Sequence, residues 1–96
     1  MSIYITAMVN SKPGQQEQLK ELLLELVSES RKETACLQYD LHQSLDNPEL
    51  FIFQEEWASK EGIDFHESQP HIAKFIKESA NLITGNLAVY KTLKLA

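Results

Sequence analysis

Apolar and polar side chains alternate near both ends of the chain. Between those ends, apolar residues recur at three- and four-residue steps. Residues 3–9, Ile-Tyr-Ile-Thr-Ala-Met-Val, are β-branched and aromatic-rich and predict a first strand. Asn10-Ser11-Lys12-Pro13-Gly14 reads as a turn. From Gln15 to Lys32, Leu19, Leu22, Leu23, Leu26 and Val27 fall on one helical stripe. Glu17, Lys20, Glu21, Glu25, Glu29 and Arg31 make the opposite, solvated side. Residues 36–44 alternate again, with Leu37, Tyr39 and Leu41 opposed to Gln38, Asp40 and His42. Asp46-Asn47-Pro48-Glu49 is a tight connection, so this second strand should form an antiparallel hairpin with a third, Leu50 to Trp57. Neither face of that third strand is purely polar, which predicts cover on both sides.

Ser59 suits the N-cap of a short helix over 60–67. Pro70 suits the first turn of another over 70–82, with Ile72, Phe75, Ile76 and Ile83 on its apolar side and Gly85 ending it. Residues 86–95 predict the last strand, with Leu87, Val89, Leu93 and Leu95 in phase. The order β-α-β-β-α-β, its second helical unit broken in two, is the split βαβ arrangement. The expected fold is therefore α+β and ferredoxin-like, a four-stranded antiparallel sheet with helices on one face. The bare face would carry apolar side chains from the first and third strands. A second copy of the same sheet is the simplest cover, so a homodimer is expected.

Composition narrows the function classes. Ninety-six residues predict one domain over 1–96. A chain this short removes only about 60–65% of its unfolded surface from water, a second reason to expect assembly. The net charge is −5, from 14 acidic and 9 basic side chains. With no Lys/Arg cluster, neither nucleic acid nor an anionic membrane is an expected partner. A lone cysteine, Cys36, excludes an internal disulfide and a zinc site of several cysteines. The opening Met1-Ser2-Ile3-Tyr4 runs directly into a strand, with no leader-like segment, and the expected location is the cytoplasm.

Glu55 is the first candidate for chemistry. By parity it shares a face with Phe51, Phe53 and Trp57. A carboxylate among aromatic rings loses hydration, its pKa rises, and it can exchange a proton near neutral pH. The plainer reading is a glutamate at a sheet edge facing water or a lysine. His66 and His71 flank the break between the two short helices. They read either as proton handlers at the mouth of one cavity or as helix-end caps. A metal site would need a third ligand, for which Glu55 is the nearest carboxylate in the pattern; no metal is expected. Trp57 and Tyr39 serve either the core or a substrate. Phe53 would line the same face, with Tyr4 and Asn10 as weaker candidates. Cys36 has no basic neighbour to activate it and reads as a small buried hydrophobe. There is no Gly-rich dinucleotide loop, and no cofactor is expected.

Five short motifs then fall in order: Lys12-Pro13-Gly14, Cys36-Leu37-Gln38-Tyr39, Glu55-Glu56-Trp57, His66, and Gln69-Pro70-His71. Together, over nearly the whole chain, they resemble the antibiotic biosynthesis monooxygenase family. Two positions depart from its usual pattern: Ala35 stands where many members have Gly, and Gln69 where Ser is usual. The resemblance implies a dimeric α+β barrel with a ligand cavity between sheet and helices. It implies cofactor-independent oxygenation of a quinol or anthrone-like aromatic by dioxygen. Glu55, His66 and His71 would then handle protons, and Trp57, Tyr39, Phe53 and Asn10 would contact substrate. The family's haem-degrading branch fits poorly. Its late first-strand Asn corresponds to Ala7, its short-helix Trp to His66, and no His follows His71. Two rival functions stay open: a proton-transfer isomerase of a hydroxyketone phosphate, like the family's autoinducer-2-processing enzyme, and a non-catalytic dimeric ligand-binding module.

Overall fold

Alternation builds the sheet and three- to four-residue periodicity builds the layer above it. A computed structural model describes residues 1–96. The elements are β1 (Ile3–Asn10), α1 (Gln16–Ser30), β2 (Cys36–Gln43), β3 (Leu50–Trp57), α2 (Lys60–Glu67), α3 (Pro70–Ser79) and β4 (Ala88–Thr92). The strands form one antiparallel sheet in the order β2-β3-β1-β4. This is the expected α+β ferredoxin-like fold.

Ile5, Ala7 and Val9 of β1 point to the helical side, as do Phe51, Phe53, Glu55 and Trp57 of β3. Leu19, Leu23, Leu26 and Val27 of α1 close over them, with Ile63 of α2 and Phe75 of α3. Each fully buried Leu or Phe contributes about 1.5–3 kcal/mol relative to exposure, so this layer carries most of the fold's stabilisation. No helix is long and apolar enough to cross a membrane.

Several boundaries differ from the sequence pattern. β1 runs on through Asn10, which pairs with Leu50. α1 ends at Ser30 rather than Lys32, and α3 at Ser79 rather than residue 82. β4 covers only Ala88–Thr92, because Thr92 already pairs with Tyr4, near the start of β1. Beyond it little partner strand remains, and Leu93 and Leu95 are exposed. In β2 a bulge between Cys36 and Gln38 inserts an extra residue. The alternation is reset there, so Leu37 is exposed while Tyr39 and Leu41 keep the inner face. Gly85, at φ +71, makes the turn into β4 rather than ending α3; a side chain there would be strained.

Candidate active site

β3 lies between β2 and β1, so its inward side chains sit at the middle of the sheet. Ala7 and Leu41 flank Phe53, and Ile5 and Tyr39 flank Glu55. The Glu55 side chain stands among these groups at 6% exposure. Its one hydrogen bond comes from Trp57, whose Nε1–H donates to Oε1 at 2.8 Å. Burial pushes the Glu55 carboxyl up from 4.5 to about 7; the Trp57 bond pulls the other way, and the negative charge of Glu33 adds to the rise.

Above Glu55 is a cavity of about 380 Å³ between the sheet and the helices. Its lining is mostly apolar, from Ile5, Ala7 and Phe53 below to Leu26, Ile72 and Phe75 above. Tyr39, Glu55, His66, Glu67 and Lys91 bring the polar groups. Lys91 and Glu67 are half-exposed and 3.8 Å apart.

His66 reaches this lining because α2 is held tightly against the turn before β2. The Ser59 hydroxyl accepts from the Gly62 N–H, capping the helix. A Cβ on Gly62 would fall on the Cβ of Ala35, so only glycine allows this approach. One turn later, the His66 ring lies 4.4 Å from the Trp57 ring and 5.6 Å from Tyr39, measured between centroids. His66 Nδ1 is 2.7 Å from Glu33 Oε2. His71 Nε2, from the first turn of α3, is 2.7 Å from the same oxygen. Glu33 lies in the turn between α1 and β2, and its side chain is only 5% exposed.

These three residues bring their ligating atoms within 4.8 Å of one another. Two imidazoles and a carboxylate are a donor set that zinc and non-haem iron use. Here the shared oxygen stands at hydrogen-bonding distance from each ring nitrogen, the arrangement of a hydrogen-bonded cluster. The carboxylate joining the two histidines is Glu33, not Glu55 as the sequence pattern suggested.

The profile of the family described as antibiotic biosynthesis monooxygenase matches residues 2–78. The chain belongs to that family. It is 30% identical to Rv0793 of Mycobacterium tuberculosis over 87 residues, covering 91% of this chain and 85% of that one. It is 28% identical to YcnE of Bacillus subtilis over 90 residues, covering 94% and 95%. Both relatives are named as candidate monooxygenases. Against sll1783 of Synechocystis it is 24% identical over 91 residues and spans 62% of that protein's length. The crystal structure of PA3566 from Pseudomonas aeruginosa superposes with a TM-score of 0.93 at 32% identity, covering 99% of this chain and 95% of that one. In general terms, then, the function of this antibiotic biosynthesis monooxygenase family member is monooxygenase-like.

The residues singled out from sequence divide in two. Glu55, His66, Tyr39 and Phe53 meet at the cavity. His71 does not line it; it borders a shallow groove with Glu25, Lys74 and Glu78, its ring 5.9 Å from that of His66 between centroids and bonded to the same Glu33 oxygen. Trp57 is fully buried and absent from the lining, so its place is behind Glu55 rather than against a substrate. Asn10 is exposed and absent from the lining; it stands three residues along β1 from Ala7, about 10 Å away at strand rise. Tyr4 points to the opposite sheet face, paired with Glu56 and Thr92. Burial holds the Tyr39 hydroxyl well above its usual range, so it stays a neutral donor. Burial, with Glu33 and Glu55 nearby, lifts the Cys36 thiol to about 11, which keeps it protonated and unreactive. Glu33 is the site residue that sequence reading missed.

Proposed function

We propose that this protein is a cofactor-independent monooxygenase for a small, electron-rich aromatic such as a quinol or an anthrone. The observation carrying this reading is Glu55. It is a carboxyl held at about 7 by burial, at the floor of an apolar cavity of about 380 Å³. That volume lies within the range of small-molecule sites, roughly 300–1,000 Å³. Tyr39 can donate its hydroxyl proton to a substrate oxygen.

In an anthrone, the base takes a proton from the acidic CH₂. The anion passes one electron to dioxygen, and the substrate radical and superoxide combine into a peroxide. The stored proton returns to the peroxide; a second base then takes the remaining C–H proton, that electron pair forms the carbonyl as the O–O bond breaks, and the departing hydroxide takes up this proton and leaves as water. The substrate thus loses two hydrogens and gains one oxygen; the second oxygen departs as water. The protein's share is to bind, to exclude bulk water and to hold protons.

The isomerase alternative needs cationic groups for a phosphate, and the lining offers Lys91 alone, already beside Glu67. We also propose a homodimer through the outer sheet face, where Tyr4, Met8, Leu50 and Ile52 are only half-buried in the single chain. A cytoplasmic setting, with neither nucleic acid nor membrane as partner, accords with a net charge of −5 and a single thiol.

The test is dioxygen uptake by metal-stripped protein across a panel of quinols and anthrones, beside Glu55→Gln. Cofactor-free uptake that scales with protein and falls at least 100-fold in the variant is expected, about the effect of losing a positioned base. Uptake no faster than autoxidation would refute the oxygenase reading, and equal rates in the two proteins would remove Glu55 from it.

A further inference from the structure

The oxygenation steps leave Glu33 unused, yet its side chain is only 5% exposed and its Oε2 carries the hydrogen bonds that join the two histidines. We infer that Glu33 is a positioning residue: it fixes His66 in the Nδ1–H form, so that the bare Nε2 faces the cavity as a proton acceptor. This rests on the oxygenase reading for its chemistry, though not for its geometry.

An ionised carboxylate only accepts hydrogen bonds. At 2.7 Å from Glu33 Oε2, His66 Nδ1 must therefore carry the proton. A neutral imidazole has one N–H, which leaves Nε2 with its lone pair. Glu33 does not line the cavity and His66 does, so the ring edge presented there is the one away from Glu33, with Nε2. That nitrogen makes no hydrogen bond within the protein, and it belongs to a residue that lines the cavity.

Charge argues the same way. No lysine or arginine bonds Glu33; its donors are the two rings, both on Oε2. Its other oxygen, Oε1, is buried with no partner. When His66 takes a substrate proton on Nε2, the resulting imidazolium lies directly against this carboxylate. The proton transfer then ends in a buried ion pair rather than a lone buried charge. His71 has its own part in this scheme. It holds the carboxylate from the groove side by a second N–H and never meets the substrate.

The test is long-range ¹H–¹⁵N correlation NMR of the histidine rings in the full chain, alongside steady-state dioxygen uptake. Wild type is compared with Glu33→Gln and Glu33→Ala. Gln keeps the volume, but its amide can donate to a ring as well as accept, so it no longer dictates one tautomer. In wild type, a pyrrole-type Nδ1 and a pyridine-type Nε2 are expected for neutral His66. Both variants should show mixed tautomers. Their kcat should fall on the order of 10²–10⁴-fold, as when a histidine base loses its orienting carboxylate, with KM nearly unchanged. A wild-type His66 protonated on Nε2 would overturn the inference, as would variants whose tautomer or kcat matches wild type. If wild type turns over no substrate in the panel, the oxygenase reading fails, and the ring tautomers alone still decide whether Glu33 positions His66.

Discussion

The indole N–H of Trp57 donates to Glu55 Oε1 from two residues further along the same strand. Both side chains point inward, one behind the other, so the core's largest ring supplies the one hydrogen bond that the buried carboxyl receives. Burial favours the protonated acid and the indole favours the carboxylate; burial prevails, and the group sits at about 7.

That balance makes stability depend on pH. The folded pKa of Glu55, about 7, lies above its ordinary 4.5. The native state therefore binds the proton more tightly than the unfolded chain does. Its contribution is fully present below about pH 4.5 and is lost as pH climbs through about 7. The total is about 3 kcal/mol, at roughly 1.4 kcal/mol per pKa unit. Urea unfolding at pH 5 and pH 8 should show wild type weakening at the higher pH. Glu55→Gln should flatten that difference; an unchanged pH dependence would mean that Glu55 is not the titrating group.

Trp57→Phe removes the donor that favours ionised Glu55. The pKa of Glu55 should rise further, so the pH of half-maximal turnover moves upward. Stability should fall by about 1–3 kcal/mol for the unpaired oxygen alone. Trp57 is the single tryptophan, so circular dichroism must follow unfolding. An unshifted pH–rate profile would show that this bond does not tune the carboxyl.

Gly62→Ala should cost about 1–3 kcal/mol by overpacking, because its new methyl meets that of Ala35. Ala35→Gly in the same chain should restore most of the loss, with a coupling above about 0.5 kcal/mol. Turnover should follow stability in both, since Gly62 lies one turn from His66. Additive effects in the double-mutant cycle would exclude the contact.

Ala7→Leu projects into the cavity floor. The added carbons fill open apolar space, so Tm should hold or rise, with a gain of up to about 2 kcal/mol at roughly 0.8 per buried CH₂. Turnover should be lost first for the broadest substrates in the panel. A uniform loss across substrates, with a lower Tm, would indicate distortion of the sheet instead.

Strand parity alone placed Phe53 and Glu55 on the same inner face, because β3 runs without interruption from Leu50 to Trp57. Parity failed at Leu37, where the bulge shifted the phase by one, a local event with no turn residue to announce it. Glu33 was hidden differently. It continues the four-residue run Glu17, Glu21, Glu25, Glu29, which belongs to the solvated side of a helix. The helix stops at Ser30, so that periodicity no longer applies at position 33, and the turn swings the side chain inward. A correct helix end was the missing signal. The joining of His66 to His71 by a residue more than 30 positions earlier was beyond any spacing argument.

The sheet order has a further consequence. β1 and β3 are hydrogen-bonded on both sides, whereas β4 is held only by β1, over five residues. Its amides should exchange with solvent well before those of β3. The cavity therefore has a stiff wall at Phe53 and Glu55 and a compliant one at Val89 and Lys91. Under the oxygenase reading, substrates of different breadth should be accommodated by yielding of β4, while Phe53 and Glu55 keep their places. Tolerance for substrate shape and the chemistry performed on it then reside in different strands, and each can drift in evolution without disturbing the other.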